Sequence, residues 1–281
     1  RLRTVTGVQT CALPIYLLIQ NQSDVSASTT DGRAGSITLN SFAIPAQQLD
    51  ILGGSKISAE ATGSGNSGDI TLYAKTLNVF DNSAISISTT SGQGGNIFMD
   101  QLHTATVKNS IVTAATQTGQ AGDITLIFRS SELTLTGKNT DGRGGIIAEA
   151  TGAGGQAGNI TIVMPKGDLS VNQGAEITVS SPQGIAGSTT ISANNITLQN
   201  GLLNATTGNT PLTGQGANIN LNLGNILTLD HESLISANAL SQANGGNINI
   251  NTLFLIAFPP TGPDGSDIIA NAEAEIGRAH V

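Results

Sequence analysis

Apolar and polar positions alternate in short bursts along almost the whole chain, and the bursts share one phrase. A small residue, Gly, a polar residue, Ile, a variable residue and Leu or Ile recur as AGSITL at 34–39, SGDITL at 67–72, GGNIFM at 94–99 and AGDITL at 121–126. The phrase continues, with local departures, as AGNITI at 157–162, AGSTTI at 186–191, GANINL at 216–221 and GGNINI at 245–250. Successive copies lie 33, 27, 27, 36, 29, 30 and 29 residues apart. A period of that size signals a stacked array of units rather than a globular domain built around one pocket.

Each unit contains three strand-like pieces. In the phrase itself, Ile and Leu two positions apart share one face and the residue between them takes the other. Those intervening residues are Thr38, Thr71, Phe98, Thr125, Thr161, Thr190, Asn220 and Asn249, a mostly polar set suited to an outer face. In the sixth copy Thr189 stands where the others have Ile. The second piece is Leu-x-Val/Leu/Ile, as at 49–51, 77–79, 133–135, 169–171 and 227–229, followed by a polar turn such as Gly53-Gly54 or Asp81-Asn82. The third is Ile-Ser/Thr-x, as at 57–59, 85–87, 177–179 and 235–237. No apolar stripe has helical spacing. The pattern predicts an all-β, right-handed parallel β-helix of about nine coils with three short strands per coil. At about 4.8 Å per coil the rod would be roughly 43 Å long. The longest step contains KNTDGRGG at 138–145, which reads as a loop insertion.

The residue before the first apolar position of each phrase is Ser36, Asp69, Asn96, Asp123, Asn159, Ser188, Asn218 and Asn247. Stacked at one corner, these would form a structural polar ladder whose side chains bond along the stack and satisfy turn backbone. The Gly preceding each (Ala217 in one copy) is expected to supply a positive-φ corner. Asp69 and Asp123 could alternatively hold a cation, although the Gly-Gly-x-Gly-x-Asp calcium repeat is absent.

Composition narrows the function classes. Aromatic residues are 3% and charged residues 11%, low for a globular enzyme, while 38% hydrophobic residues suffice for a core. Net charge is −8 with no Lys/Arg cluster, which argues against nucleic acid as a partner. Cys11 is the single cysteine, so no intrachain disulfide can form. No segment approaches the roughly 20 apolar residues of a membrane helix, so the chain is not expected to span a membrane. Residues 1–16 and 276–281 share neither the period nor the composition of the rest. They resemble translated adapter sequence and are expected to be non-native flanks of an array spanning 17–275, truncated at both ends.

The pairing of AGNITI-type strands with LTLxxxxxIS-type strands resembles the repeats of cyanobacterial filamentous-haemagglutinin-like exoproteins of two-partner secretion systems. The resemblance covers about 17–275, with Asp264–Ala272 (DGSDIIANA) similar to a segment of such arrays. It implies a structural or adhesive rod, extracellular or on the outer cell surface. Its implied partners are an outer-membrane transporter, engaged through a domain not visible here, and surface glycans or other cells. The alternative is a polysaccharide lyase or glycoside hydrolase on the pectin-lyase-like version of this helix, which would need clustered acids or bases on one face. The densest polar group, Asp230-His231-Glu232, falls in the slot of a solvent turn, and His103 has no acid near it in sequence. Asp264 and Asp267 read as turn residues in a Pro/Gly loop, and Glu273 and Glu275 belong to the last turn. Gly142–Gly145 lacks the Gly-Lys-Ser/Thr of a phosphate loop. The expectation is therefore a non-enzymatic protein with no cofactor, no metal and no catalytic residue.

Overall fold

The computed structural model describes residues 15–208, 217–241, 243–258 and 265–272. All regular structure among them is β, in chain order β1 (Tyr16–Ile19), β2 (Asp24–Thr29), β3 (Ile37–Leu39), β4 (Ala46–Ile51), β5 (Lys56–Ala61), β6 (Ile70–Phe80), β7 (Ala84–Thr89), β8 (Ile97–Lys108), β9 (Ile111–Thr116) and β10 (Ile124–Thr136). There follow β11 (Gly145–Ala150), β12 (Ile160–Asn172), β13 (Glu176–Ser181), β14 (Thr189–Gln199), β15 (Leu202–Thr207), β16 (Ile219–Asp230), β17 (Leu234–Ala239), β18 (Ile248–Asn251), β19 (Phe254–Ala257) and β20 (Asp267–Ala272). The chain alternates between two sheets, and each strand pairs in parallel with its counterpart one repeat away. The architecture is a right-handed parallel β-helix.

Within a coil, the first two pieces run into one long strand that turns a corner. In β6, Ile70–Leu72 and Leu77–Val79 both pair with β8, and the register shifts between Tyr73 and Thr76. The same break falls between Met164 and Asp168 in β12 and between Ala193 and Asn195 in β14. At the two ends of the stack the pieces separate, as β3 with β4 and β18 with β19. The third piece alone builds the nine-stranded second sheet, β2-β5-β7-β9-β11-β13-β15-β17-β20. Nine stacked strands make eight steps, or about eight turns, close to the nine coils that the period suggests. β1 begins at Tyr16, which pairs with Gln48, and the Ile15 carbonyl accepts the Gln47 N–H, so the solenoid includes two residues of the stretch 1–16. Residues 1–14 and 276–281 lie outside the described residues.

In-register stacking turns each repeated apolar position into a column through the interior. Leu77, Ala105, Leu133, Leu169, Ile196 and Leu227 form one such column, and Ile57, Ile85, Val112, Ile146, Ile177, Leu203 and Ile235 another. Nearly all of these side chains are fully buried. Each large apolar side chain contributes about 1.5–3 kcal/mol when removed from water. That gain exists only when the next coil closes over it, which is why one unit cannot fold alone.

The glycines of the repeated phrase serve a purpose other than the expected one, since no positive φ is found at them. Gly122 shows the actual reason. A Cβ built there would lie 1.6 Å from the carbonyl oxygen of Gly95 on the preceding coil. Glycine is present because backbone meets backbone. The left-handed conformations fall instead at the polar turn before the third piece, as at Gly53 (φ 62) and Gly54 (φ 75) and at Asp81 (φ 59) and Asn82 (φ 64).

Thr189 occupies an isoleucine column between Ile160 and Ile219, is 1% exposed, and its Oγ1 has no hydrogen-bond partner. An unpaired buried hydroxyl costs about 1–3 kcal/mol. Thr189→Val keeps the shape and removes the hydroxyl. It is expected to raise stability by about 1 kcal/mol in urea unfolding.

Candidate functional site

The eight ladder residues stack at one solvent-facing corner, and side chains bond Ser36 through Ser188 and Asn218 to Asn247 in series. Ser36 Oγ accepts the Asp69 N–H at 3.2 Å, Asp69 Oδ1 the Asn96 N–H at 2.8 Å, and Asn96 Oδ1 the Asp123 N–H at 2.9 Å. Asp123 Oδ1 then accepts the Asn159 N–H at 2.7 Å, and Asn159 Oδ1 the Ser188 N–H at 2.9 Å. Further along, Asn218 Oδ1 accepts the Asn247 N–H at 2.9 Å. At these steps side chains satisfy the corner N–H that the strand ladder leaves over. Asp69 and Asp123 act here as acceptors for backbone, the same role as Asn96 and Asn159. Among the described residues no three His, Cys, Asp or Glu side chains converge in a metal-binding group.

A second ladder runs at the opposite end of the coil, just before the third piece. The Ser23, Ser55 and Ser83 N–H groups donate to Ser55, Ser83 and Ser110 Oγ at 3.1, 3.2 and 3.1 Å. It resumes with the Gly201 and Ser233 N–H groups donating to Ser233 and Ser266 Oγ. Unlike the first ladder it is buried, with Ser55 and Ser83 each 1% exposed. Its side chains point back toward the preceding coil, whereas those of the first point forward. The signal was a Ser ahead of the third strand, broken by Gly144, Ala175 and Gly201.

The outer surface carries the remaining chemistry. Asp230-His231-Glu232 is a turn, with His231 (φ 48) and Glu232 (φ 58) left-handed and His231 Nδ1 2.7 Å from Asp230 Oδ2. His103 is half-buried, its Nδ1 3.2 Å from the Gln101 carbonyl oxygen. Asp267 is the first residue of β20, paired with Leu234, rather than part of a loop; Asp264, Glu273 and Glu275 lie outside the described residues. The insertion at 138–145 folds onto its neighbours. Arg143 grips Glu149 through two bonds of 2.8 and 2.7 Å, and the Thr140 N–H reaches Asn82 Oδ1 at 2.8 Å. Partial burial pushes the Arg143 guanidinium down, but its bonds to Glu149 and the charges of Glu149, Glu176 and Asp141 outweigh this and hold it above its ordinary value. Buried Asp50 accepts bonds from Tyr16, Gln48 and Asn78, and the Tyr16 bond raises that phenol above its ordinary value, with burial and the carboxylate charge adding to it.

Two arrangements join residues that are far apart in sequence. Glu132 and Asp168 are register partners on adjacent coils and line an open cleft with Ser131, Ser170 and Asn195. Asp168 Oδ1 accepts the Asn195 amide at 2.8 Å, and Glu132 Oε1 the Thr134 hydroxyl at 2.8 Å. Further toward the start of the stack, Phe42, Tyr73 and Phe98 pack edge to face with ring centroids 6.4 Å apart in each pair. The Arg129 guanidinium lies 5.6 Å over the Phe42 ring and bonds buried Asp100 at 2.7 Å.

Comparison with family models, curated proteins and solved structures gives no match for this chain. Among the described residues no helix is long and apolar enough to cross a membrane.

The ladder yields a stability prediction. Asn159→Ala strips the acceptor from the Ser188 N–H and is expected to cost about 1–2 kcal/mol in urea unfolding. Asn159→Ser, which places at 159 the acceptor that serves at 36, is expected to lose less than Asn159→Ala, whereas Asn159→Asp trades the amide bond to Asp123 Oδ1 for a second carboxylate one coil away and is expected to recover little.

Proposed function

We propose that this chain is a rod segment of an adhesive exoprotein, extracellular or on the outer cell surface, that acts by multivalent contact rather than by catalysis. The observation behind the reading is the stacking itself. Each outward position of the repeated phrase returns on the next coil in register, so Thr125, Thr161, Thr190, Asn220 and Asn249 form one regular column of hydroxyls and amides. Repeated weak contacts on a stiff scaffold gain strength together, because once one has formed the rest are effectively intramolecular. The family resemblance adds the route: export through an outer-membrane two-partner transporter that recognises a segment other than these repeats. Surface glycans or other cells are the proposed targets.

The test is bead retention. Latex beads coated with the protein at rising density should be held on a bacterial biofilm under flow, with retention climbing faster than density. Retention no greater than that of albumin-coated beads at every density would contradict the proposal.

One observation favours a second reading, a polysaccharide-cleaving enzyme. Glu132 and Asp168 sit on adjacent coils, whose backbones are about 4.8 Å apart. That spacing is compatible with carboxyl groups about 5–5.5 Å apart, as in retaining glycosidases. Reducing-end release from a neutral or pectic polymer, abolished by Glu132→Gln, would establish it in place of the adhesive reading.

A further inference from the structure

The aromatic cluster is not an isolated surface feature; it heads a strip that runs along the rod. Phe98 belongs to the outward column of the repeated phrase, in register with Thr71 on one side and Thr125 on the other. Tyr73 pairs with buried Asp100 beside it; past a register shift between β8 and β10, a neighbouring column runs Ile127, Val163, Ser192, Asn222 and Asn251 in register. Phe42 reaches the same patch from the loop between β3 and β4 and remains 60% exposed. The chain has only two Tyr, six Phe and no Trp, so three rings in one outer cluster is a concentration that core packing does not require. At the far end of the strip a shallow cleft is walled by Asn220, Asn222, Asn249 and Asn251. From Phe98 to Asn249 there are five steps, about 24 Å at the usual strand spacing.

We propose that this strip binds a neutral linear polysaccharide lying along the rod axis. Its sugar rings would lie against the apolar patch that Phe42, Tyr73 and Phe98 form edge to face, and its hydroxyls would bond the threonine and asparagine column. The inference rests on the adhesive reading above and names the contact surface.

Three observations select this occupant. A pyranose has an apolar face and a hydroxyl rim, which matches aromatic rings followed by hydroxyls and amides. One sugar of an extended chain advances by close to one coil spacing, so each coil meets a ring, with alternate rings turned over, whereas an extended peptide advances about 3.3 Å per residue and falls out of step. The charges in the cluster, Arg129 and Asp100, neutralise each other within a chain of net charge −8, which disfavours acidic polymers and nucleic acid alike.

The experiment is affinity electrophoresis of the intact chain in native gels containing hydroxyethylcellulose, xyloglucan or mannan, with polygalacturonate as the acidic comparison. At least one neutral polymer should retard the protein, and polygalacturonate should not. The Phe42→Ala/Phe98→Thr double variant should lose at least tenfold in apparent affinity. Phe98→Thr installs the residue found on the adjacent coils, and an unchanged melting profile confirms folding; Phe42→Ala alone, in an exposed loop, is the second variant should the double one fail to fold. No retardation of the wild-type chain by any neutral polymer overturns the proposal, as does equal retardation of the variants or a concentration-dependent dimer that the variants abolish. The adhesive reading is judged separately. Beads that still bind a biofilm while the protein ignores every neutral glycan leave adhesion standing and remove this strip as its cause.

Discussion

The register of this structure depends on the close contact between a coil's corner backbone and the coil before it, at every phrase position but the one that Ala217 fills, where strand pairing alone carries the step. The phrase glycines lie directly over the carbonyl of their counterpart, as Gly122 does over Gly95 and Gly158 over Gly122. With that contact in place, the next strand pairs at the usual sheet spacing, apolar positions fall into columns and the outward residues repeat in register. A lateral shift of one residue would invert every inward and outward side chain beyond it. The two side-chain ladders act against such a shift from opposite ends of the coil. One reaches forward at the exposed corner and the other back from the buried turn, so each coil is tied to its neighbours by more than the sheet bonds.

This construction explains why the core can be made of Ile, Leu, Val and Ala with few aromatics. Every interior position has a near copy above and below it, so packing is solved once and repeated. Departures are then conspicuous. Thr189 leaves an orphan hydroxyl inside an isoleucine column. Ala105 narrows a column of leucines. On the outside the same regularity has a different consequence: an outward residue is automatically one member of a row. Phe98 in a row of threonines is therefore a local change of surface chemistry that leaves the scaffold untouched.

Much of this was legible in the sequence, and what was missed was missed for physical reasons. The period, the inward Ile-x-Leu pair and the corner row from Ser36 to Asn247 follow from spacing alone. The joining of the first two pieces into one bent strand does not, because a strand keeps its alternation on both sides of a corner. Glycine in a sequence cannot distinguish a left-handed turn from a backbone contact, so the phrase glycines were assigned the wrong task while Asp81, Asn82, His231 and Glu232 carry the left-handed turns. The serine ladder is interrupted in the middle of the chain, which hides its period. Phe42, Tyr73 and Phe98 are 31 and 25 residues apart in sequence, and only the stacking brings them together. Glu132 and Asp168 meet in the same way.

The central claim, that backbone contact at the phrase glycine sets the register of the solenoid, is tested most directly by comparing Gly122→Ala with Gly224→Ala in urea unfolding. At Gly224 a Cβ would come no closer than 3.2 Å to another atom, and that to the Asn194 side-chain oxygen, so the substitution should change stability by no more than about 0.5 kcal/mol. At Gly122 the new methyl must displace the Gly95 carbonyl, and a loss of about 3 kcal/mol or more is expected. Equal midpoints for the two variants would show that the coils are held in register by something other than this contact.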